Sequence, residues 1–264
     1  MIRQSIPVVE GAGVHLFRAI GAHSVDIKTF DPFLLLDNFH SRDPKDYLLG
    51  FPWHPHRGIE TVTYMIEGEI EHQDSMQNKG IIKSGDVQWM TAGSGIIHQE
   101  MPKRYNGDFH GFQLWVNLPR KNKMMPPRYR GIESKDVKGT ILEGNEIKVI
   151  SGEYNGVVGA VKELVIYVTY LDVTMKEKLS YEIPKEESGF LYVYSGSGVF
   201  NGEKIEEKTI MNFDKLIATG NARFLLIHAK PLREPVAWRG PIVMNTEEEL
   251  DTAFAEYIKG TFVK

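Results

Sequence analysis

Two short runs hold residues that could share one ion. His54-Pro55-His56 and His98-Gln99-Glu100 each place two ligating side chains two positions apart. In an extended chain, side chains at that spacing point to the same face, with Cα atoms roughly 6.6 Å apart. Two imidazoles so placed can converge on a metal at about 2.1 Å each. Neighbouring strands about 4.8 Å apart would bring all four residues together. Spacing alone is weak, since nine histidines give about 0.3 His-x-His pairs by chance, and His-x-Glu pairs arise about 0.8 times. Context strengthens it. The first pair precedes a strand that ends at Gly68, and the second follows the turn Gly93-Ser94-Gly95.

The chain has no cysteine, so any metal is held by nitrogen and oxygen, and disulfides and thiolate nucleophiles are excluded. Three neutral imidazoles and one carboxylate suit Fe(II), Mn, Ni, Co, Cu or Zn, one ion per chain. Four protein ligands on an octahedral ion leave two positions open. The net charge of +1 would attract an ionised substrate oxygen, with room for dioxygen beside it.

The elements that must position these residues read as strands. Two-residue alternation runs from Val14 to about Asn117, as in Thr61-Val62-Thr63-Tyr64-Met65-Ile66, with glycine turns between the runs. That rhythm predicts an all-β fold of sandwich or barrel type. The polar, basic, proline-rich stretch after Asn117 predicts a connection, which divides the chain into 1–118, a linker 119–130, and 131–264. Phe190 to Gly196 echoes Glu60 to Gly68 as a β-run closed by a turn glycine, so a duplication is expected. The second copy has no histidine between Leu179 and Glu187 and is expected to hold no metal. One helix is signalled near the end. Thr246 and Glu249 form a capping box, Leu250, Ala253, Phe254, Tyr257 and Ile258 make an apolar stripe, and Gly260 follows.

Composition narrows the partners. With 31 basic and 35 acidic residues spread along 264 positions and a net charge of −4, no basic stripe exists to bind a nucleic-acid backbone directly. The first residues, MIRQSIPVVE, lack a charged and then apolar leader, and no run of eighteen apolar residues occurs. No membrane span and a cytoplasmic location are therefore expected.

The motifs together resemble the cupin superfamily, and within it the pirin family. His54, His56, Glu60 and Gly68 match the first cupin motif; Gly85, Gly95 and His98 approximate the second, without its proline and with two extra residues before the histidine. Both departures are pirin-like. The likeness continues through His54 to Tyr64, Gly85 to Gly93, Ile96 to Pro102, Gly111 to Pro119 and Gly240 to Thr246. It implies two tandem cupin barrels of jelly-roll type, metal in the first only, and His54, His56, His98 and Glu100 as ligands. Glu60 then orients a ligand histidine or is plainly structural. Fe(II) is the implied ion.

The implied activity is a quercetin 2,3-dioxygenase, with a small aromatic substrate and dioxygen as partners and Glu100 as the base. An alternative implied by the same family is a non-enzymatic, iron-dependent redox-sensing regulator that binds a protein partner; a third is an oxygen-independent cupin isomerisation. His15, His23, His40, His72, His110 and His228 read as ordinary core or surface histidines. Trp53, Trp89 and Trp115 read as packing groups that could also line an aromatic pocket.

Overall fold

The computed structural model describes residues 1–22 and 27–264; His23 lies outside them. Strands dominate, and the chain forms two compact units whose segments interleave. One comprises Pro7–Ile27, Phe33–Ser134 and Leu232–Lys264, and the other Met1–Ile6, Lys28–Pro32 and Lys135–Pro231. The first strand, β1 (Ile2–Gln4), accordingly pairs antiparallel with Thr209–Asn212.

The unit holding the histidine pairs is built from two sheets. Its strands are β2 (Ile6–Glu10), β3 (Val14–Ile20), β4 (Phe33–Ser41), β5 (Phe51–His56), β6 (Ile59–Glu67), β7 (Glu69–Asp74), β8 (Lys79–Lys83), β9 (Val87–Thr91), β10 (Ile96–Pro102), β11 (Phe109–Asn117) and β12 (Arg128–Ile132). A seven-stranded sheet runs in the order β12-β9-β6-β11-β4-β3-β2, and a four-stranded sheet in the order β5-β10-β7-β8. In β10 burial alternates strictly, so His98 and Glu100 turn inward while Gln99 and Met101 are only half-buried. All five residues of β9 are buried, which places that strand between two covered faces.

The other unit centres on the long strands Ser188–Phe200 and Lys215–Ala229 in a nine-stranded sheet. Leu171, Val193, Phe224 and Leu226 are among its fully buried core. Gly196 does not close the β-run as a turn. The strand continues through it to Phe200, with Gly196 at φ 75° two residues beyond a slip of register between Val193 and Ser195.

Two stretches depart from the boundaries read in the sequence. The presumed linker 119–130 is built into the first unit, because Lys123 is fully buried and donates to Gly58 O at 2.9 Å, Asn117 Oδ1 at 2.7 Å and Val243 O at 3.0 Å. Burial lowers that ammonium to about 7. A basic, polar composition reads as solvated chain; here three oxygens replace the solvent. β12 then adds to the sheet edge beside β9.

The segment from Leu232 onward also belongs to the first unit, where Val243 packs with Leu34, Ile59, Met90 and Ile96. The helix α1 (Glu247–Ile258) forms with its Thr246–Glu249 capping box intact. It covers the hairpin of Ala237–Arg239 and Ile242–Met244 through Leu250 and Ala253, with Phe254 half-buried. The stripe expected from Leu250 to Ile258 is shorter than its periodicity suggests: Ile258 is 83% exposed. Among the described residues no helix is long and apolar enough to cross a membrane.

All four tryptophans, Trp53, Trp89, Trp115 and Trp238, lie in this unit, so their fluorescence reports on it alone. Leu250→Ala should lower its stability by about 2–5 kcal/mol, read as an earlier urea midpoint of tryptophan emission. An unchanged midpoint would mean that the helix adds nothing to the unit.

Candidate metal centre

β5 and β10 are hydrogen-bonded antiparallel neighbours, with His98 opposite His54 and Ile96 opposite His56. Period-two alternation turns all three imidazoles to one side, and the register puts them side by side. Their ring centroids are 4.4 Å apart for His54 and His98, 5.0 Å for His56 and His98, and 4.8 Å for His54 and His56. One nitrogen from each lies within 4.8 Å of the others.

Hydrogen bonds decide which nitrogens carry lone pairs. His54 Nδ1 is 2.8 Å from Pro52 O, and His56 Nδ1 is 3.0 Å from Pro241 O. A carbonyl oxygen can only accept, so each Nδ1 carries the proton and each Nε2 presents a lone pair. Those two Nε2 atoms face each other at 3.1 Å. Burial lowers the pKa of both rings, and of His98 well below 6.5, with the neighbouring imidazoles adding to it. No proton is therefore held between them at neutral pH. Two lone pairs at this distance repel unless a cation takes both, and two bonds of about 2.1 Å meeting near a right angle span this separation. Both nitrogens of the fully buried His98 lack a hydrogen-bond partner. The donor set thus fits a divalent ion bound by nitrogen.

Glu100 is not brought into this cluster. A shift of register after His98 sets Glu100 opposite Phe51, and its Oε1 accepts the Thr63 hydroxyl at 3.0 Å. Burial pushes the Glu100 carboxyl up to about 7 despite that bond. It lines the same cavity as His54 and His56. Glu60 is fully buried but does not reach a histidine. Thr91 Oγ1 and Arg130 both donate to its Oε1, at 2.5 Å and 2.9 Å. Outer support for His56 comes from the Pro241 carbonyl instead.

His72, read from the sequence as ordinary, is fully buried on β7 with its ring 5.5 Å from that of His98 and its Nε2 3.6 Å from Asp74 Oδ2. The spacing of His72-Gln73-Asp74 repeats the two-residue pattern of the other pairs, and β7 adjoins β10. His40 and His110 stack on each other at 4.2 Å, His15 pairs with Asp46, and His228 bonds Glu187 and Tyr181 in the other unit.

The loop after His56 is closely packed. A Cβ on Gly58, at φ 78°, would come within 1.9 Å of Val243 O, so glycine is required there. Arg57, also buried, donates to Phe262 O at 2.9 Å, pairs with Glu256 at 2.7 Å and covers the Phe262 ring at 4.2 Å. The cavity measures about 660 Å³, within the range of small-molecule sites. Trp53, Trp115 and Trp238 line it, Trp89 does not, and Trp53 is 48% exposed.

Residues 13–116 match the model of the family described as Pirin, and residues 170–263 that of the Pirin C-terminal cupin domain. A Pseudomonas aeruginosa protein provisionally named a quercetin 2,3-dioxygenase is 43% identical over 269 residues, covering 96% of this chain and 94% of that protein. Pirin from Mus musculus is 38% identical over 262 residues, covering 94% and 88%. The crystal structure of quercetin 2,3-dioxygenase from Acinetobacter baumannii superposes with a TM-score of 0.91 at 33% identity, covering 99% and 96%.

The neutral imidazoles make stability depend on pH. Their folded pKa values lie below the reference of 6.5, so below that pH the unfolded chain takes up protons the folded one refuses. Their contribution is present above pH 6.5 and lost as pH falls. Glu100, raised in the fold, titrates in the opposite sense. The metal-free His98→Gln variant should therefore show a flatter loss of urea midpoint than wild type between about pH 7.5 and 5.5. Parallel curves would refute a buried neutral His98.

Proposed function

Because this chain belongs to the pirin family of two-barrel cupin proteins, we propose that it is a metal-dependent dioxygenase acting on quercetin-like flavonols. One observation carries the reading: two imidazole lone pairs converge at 3.1 Å in a cavity that also holds a protonatable carboxyl and three tryptophans. In this reading His54, His56 and His98 would hold a single divalent ion, Fe(II) by family likeness, and Glu100, on the same cavity wall, would reach it as the fourth ligand. When bound, such an ion supplies a Lewis-acid position for the substrate's oxygen and for dioxygen.

The chain's own residues do the rest. Glu100 would accept the proton of the flavonol hydroxyl, since it is the one member of this set whose carboxylate can take a proton. Thr63 Oγ1, 3.0 Å from Glu100 Oε1 and 2.7 Å from Gln113 Oε1, holds one carboxyl oxygen in place and leaves the other to the cavity. Trp115 and Trp238, with ring centroids 5.8 Å apart, and Trp53 offer faces for a planar ring system. Leu16, Leu35 and Ile70 keep water from the reacting carbon.

Metal analysis of the purified protein should find one ion per chain. Aerobic incubation of the Fe(II) or Mn(II) form with quercetin should consume flavonol and oxygen together. Glu100→Ala should lower kcat by about 10²–10⁴-fold. If no flavonol is consumed, or the Glu100→Ala variant keeps full activity, the assignment fails. His98→Ala should lose the ion, which metal content reads independently of turnover.

A further inference from the structure

A row of polar side chains crosses the floor of the cavity, away from the histidines. In register across the seven-stranded sheet lie Arg18 on β3, Asp37 on β4, Gln113 on β11 and Thr63 on β6. All four line the same cavity as His54, His56 and Glu100. Thr63 is the residue that donates to Glu100. Strands lie about 4.8 Å apart, so Asp37, two strands from Thr63, sits about 10 Å from that residue.

Arg18 and Asp37 form a two-pronged ion pair. Arg18 Nε donates to Asp37 Oδ1 at 2.8 Å and a terminal nitrogen to Oδ2 at 2.7 Å, while the other terminal nitrogen holds Glu10 at 2.8 Å. Three of the five guanidinium N–H groups are thus engaged, which leaves two. The Asp37 side chain is 6% exposed and that of Arg18 is 18% exposed. A buried ion pair is a poor source of stability, since apolar residues of the same volume do as well or better. Its place on a cavity wall, beside the apolar Leu16, Leu35 and Phe39, points to a ligand.

We propose that the Arg18–Asp37 pair is a distal subsite that reads a phenolic hydroxyl at the far end of an aromatic ligand whose near end lies at the histidine cluster. The ligand class is a planar polyphenol with a hydroxy-ketone at one end and free hydroxyls at the other, spaced by two fused or linked rings. Asp37 accepts the phenol O–H, and the remaining Arg18 N–H groups donate to the phenol oxygen. The inference rests on the flavonol reading for the near end only.

The test is binding of two flavonols to the metal-loaded protein without oxygen, followed by tryptophan quenching. Quercetin carries the distal hydroxyls, and 3-hydroxyflavone has the same hydroxy-ketone without them. Wild type should bind quercetin at least about 10-fold more tightly. Asp37→Asn should reduce that preference to within about 3-fold while leaving 3-hydroxyflavone affinity unchanged. A wild type without preference, a variant that keeps it, or equal weakening of both ligands would overturn the subsite. If native tryptophan emission shows that Asp37→Asn does not fold, Arg18→Lys takes its place, with the same loss of preference expected and the same outcomes overturning it. If neither flavonol binds, the flavonol reading fails separately, and catechol decides the subsite: binding that Asp37→Asn abolishes supports it, and binding that ignores Asp37, or none at all, overturns it.

Discussion

Two backbone carbonyls govern the metal end of this protein. Pro52 O and Pro241 O each take the Nδ1 proton of a histidine, so two Nε2 lone pairs are turned toward each other and cannot relieve the repulsion by rotating. A neutral pair of imidazoles in that pose, His54 half-buried and His56 buried, is preorganised for a cation. Everything around it serves to hold the pose: the register of β5 on β10, the glycine after Arg57, the buried ammonium of Lys123 and the return of the chain's end.

The same physics separates two kinds of charged group in the first unit. Arg57 and Lys123 are buried, bonded to backbone and side-chain oxygens, and absent from the lining of the histidine cavity; they act as knots between distant segments. Arg18 and Asp37 are also paired and also buried, but they open on the cavity. Desolvation is offset by close partners in both cases; what differs is whether a ligand can reach the remaining donors.

Much of the site was legible because strand periodicity is simple. His54 and His56 share a face by parity, as do His98 and Glu100 on their own strand, and glycine turns marked both strands. The position of Glu100 was not legible, since a register shift between it and His98 leaves no mark in composition. His72 was passed over because a lone histidine looks ordinary until the partner strand is known. Glu60 has the right parity, yet Arg130, seventy residues away, claims its carboxylate. The fold class followed from alternation and turns. The boundaries did not, because the polar stretch containing Lys123 and the closing helix both fold back into the first unit, and long-range packing of this kind depends on pairings no local window contains.

The contact between His56 and Pro241 spans 185 positions, and this orders events during synthesis. Translation at about 5–20 residues per second delivers His56 about 10–40 seconds before its outer acceptor. Until the last segment leaves the ribosome, His56 has no carbonyl to fix its tautomer, and either ring nitrogen can take the proton. The nascent barrel would thus present an undecided imidazole, and the pose with two facing lone pairs waits for the segment that carries Pro241. Quality control is built into connectivity: a polypeptide cut short before Pro241 contains all three clustered histidines yet lacks the bond that aims one of them.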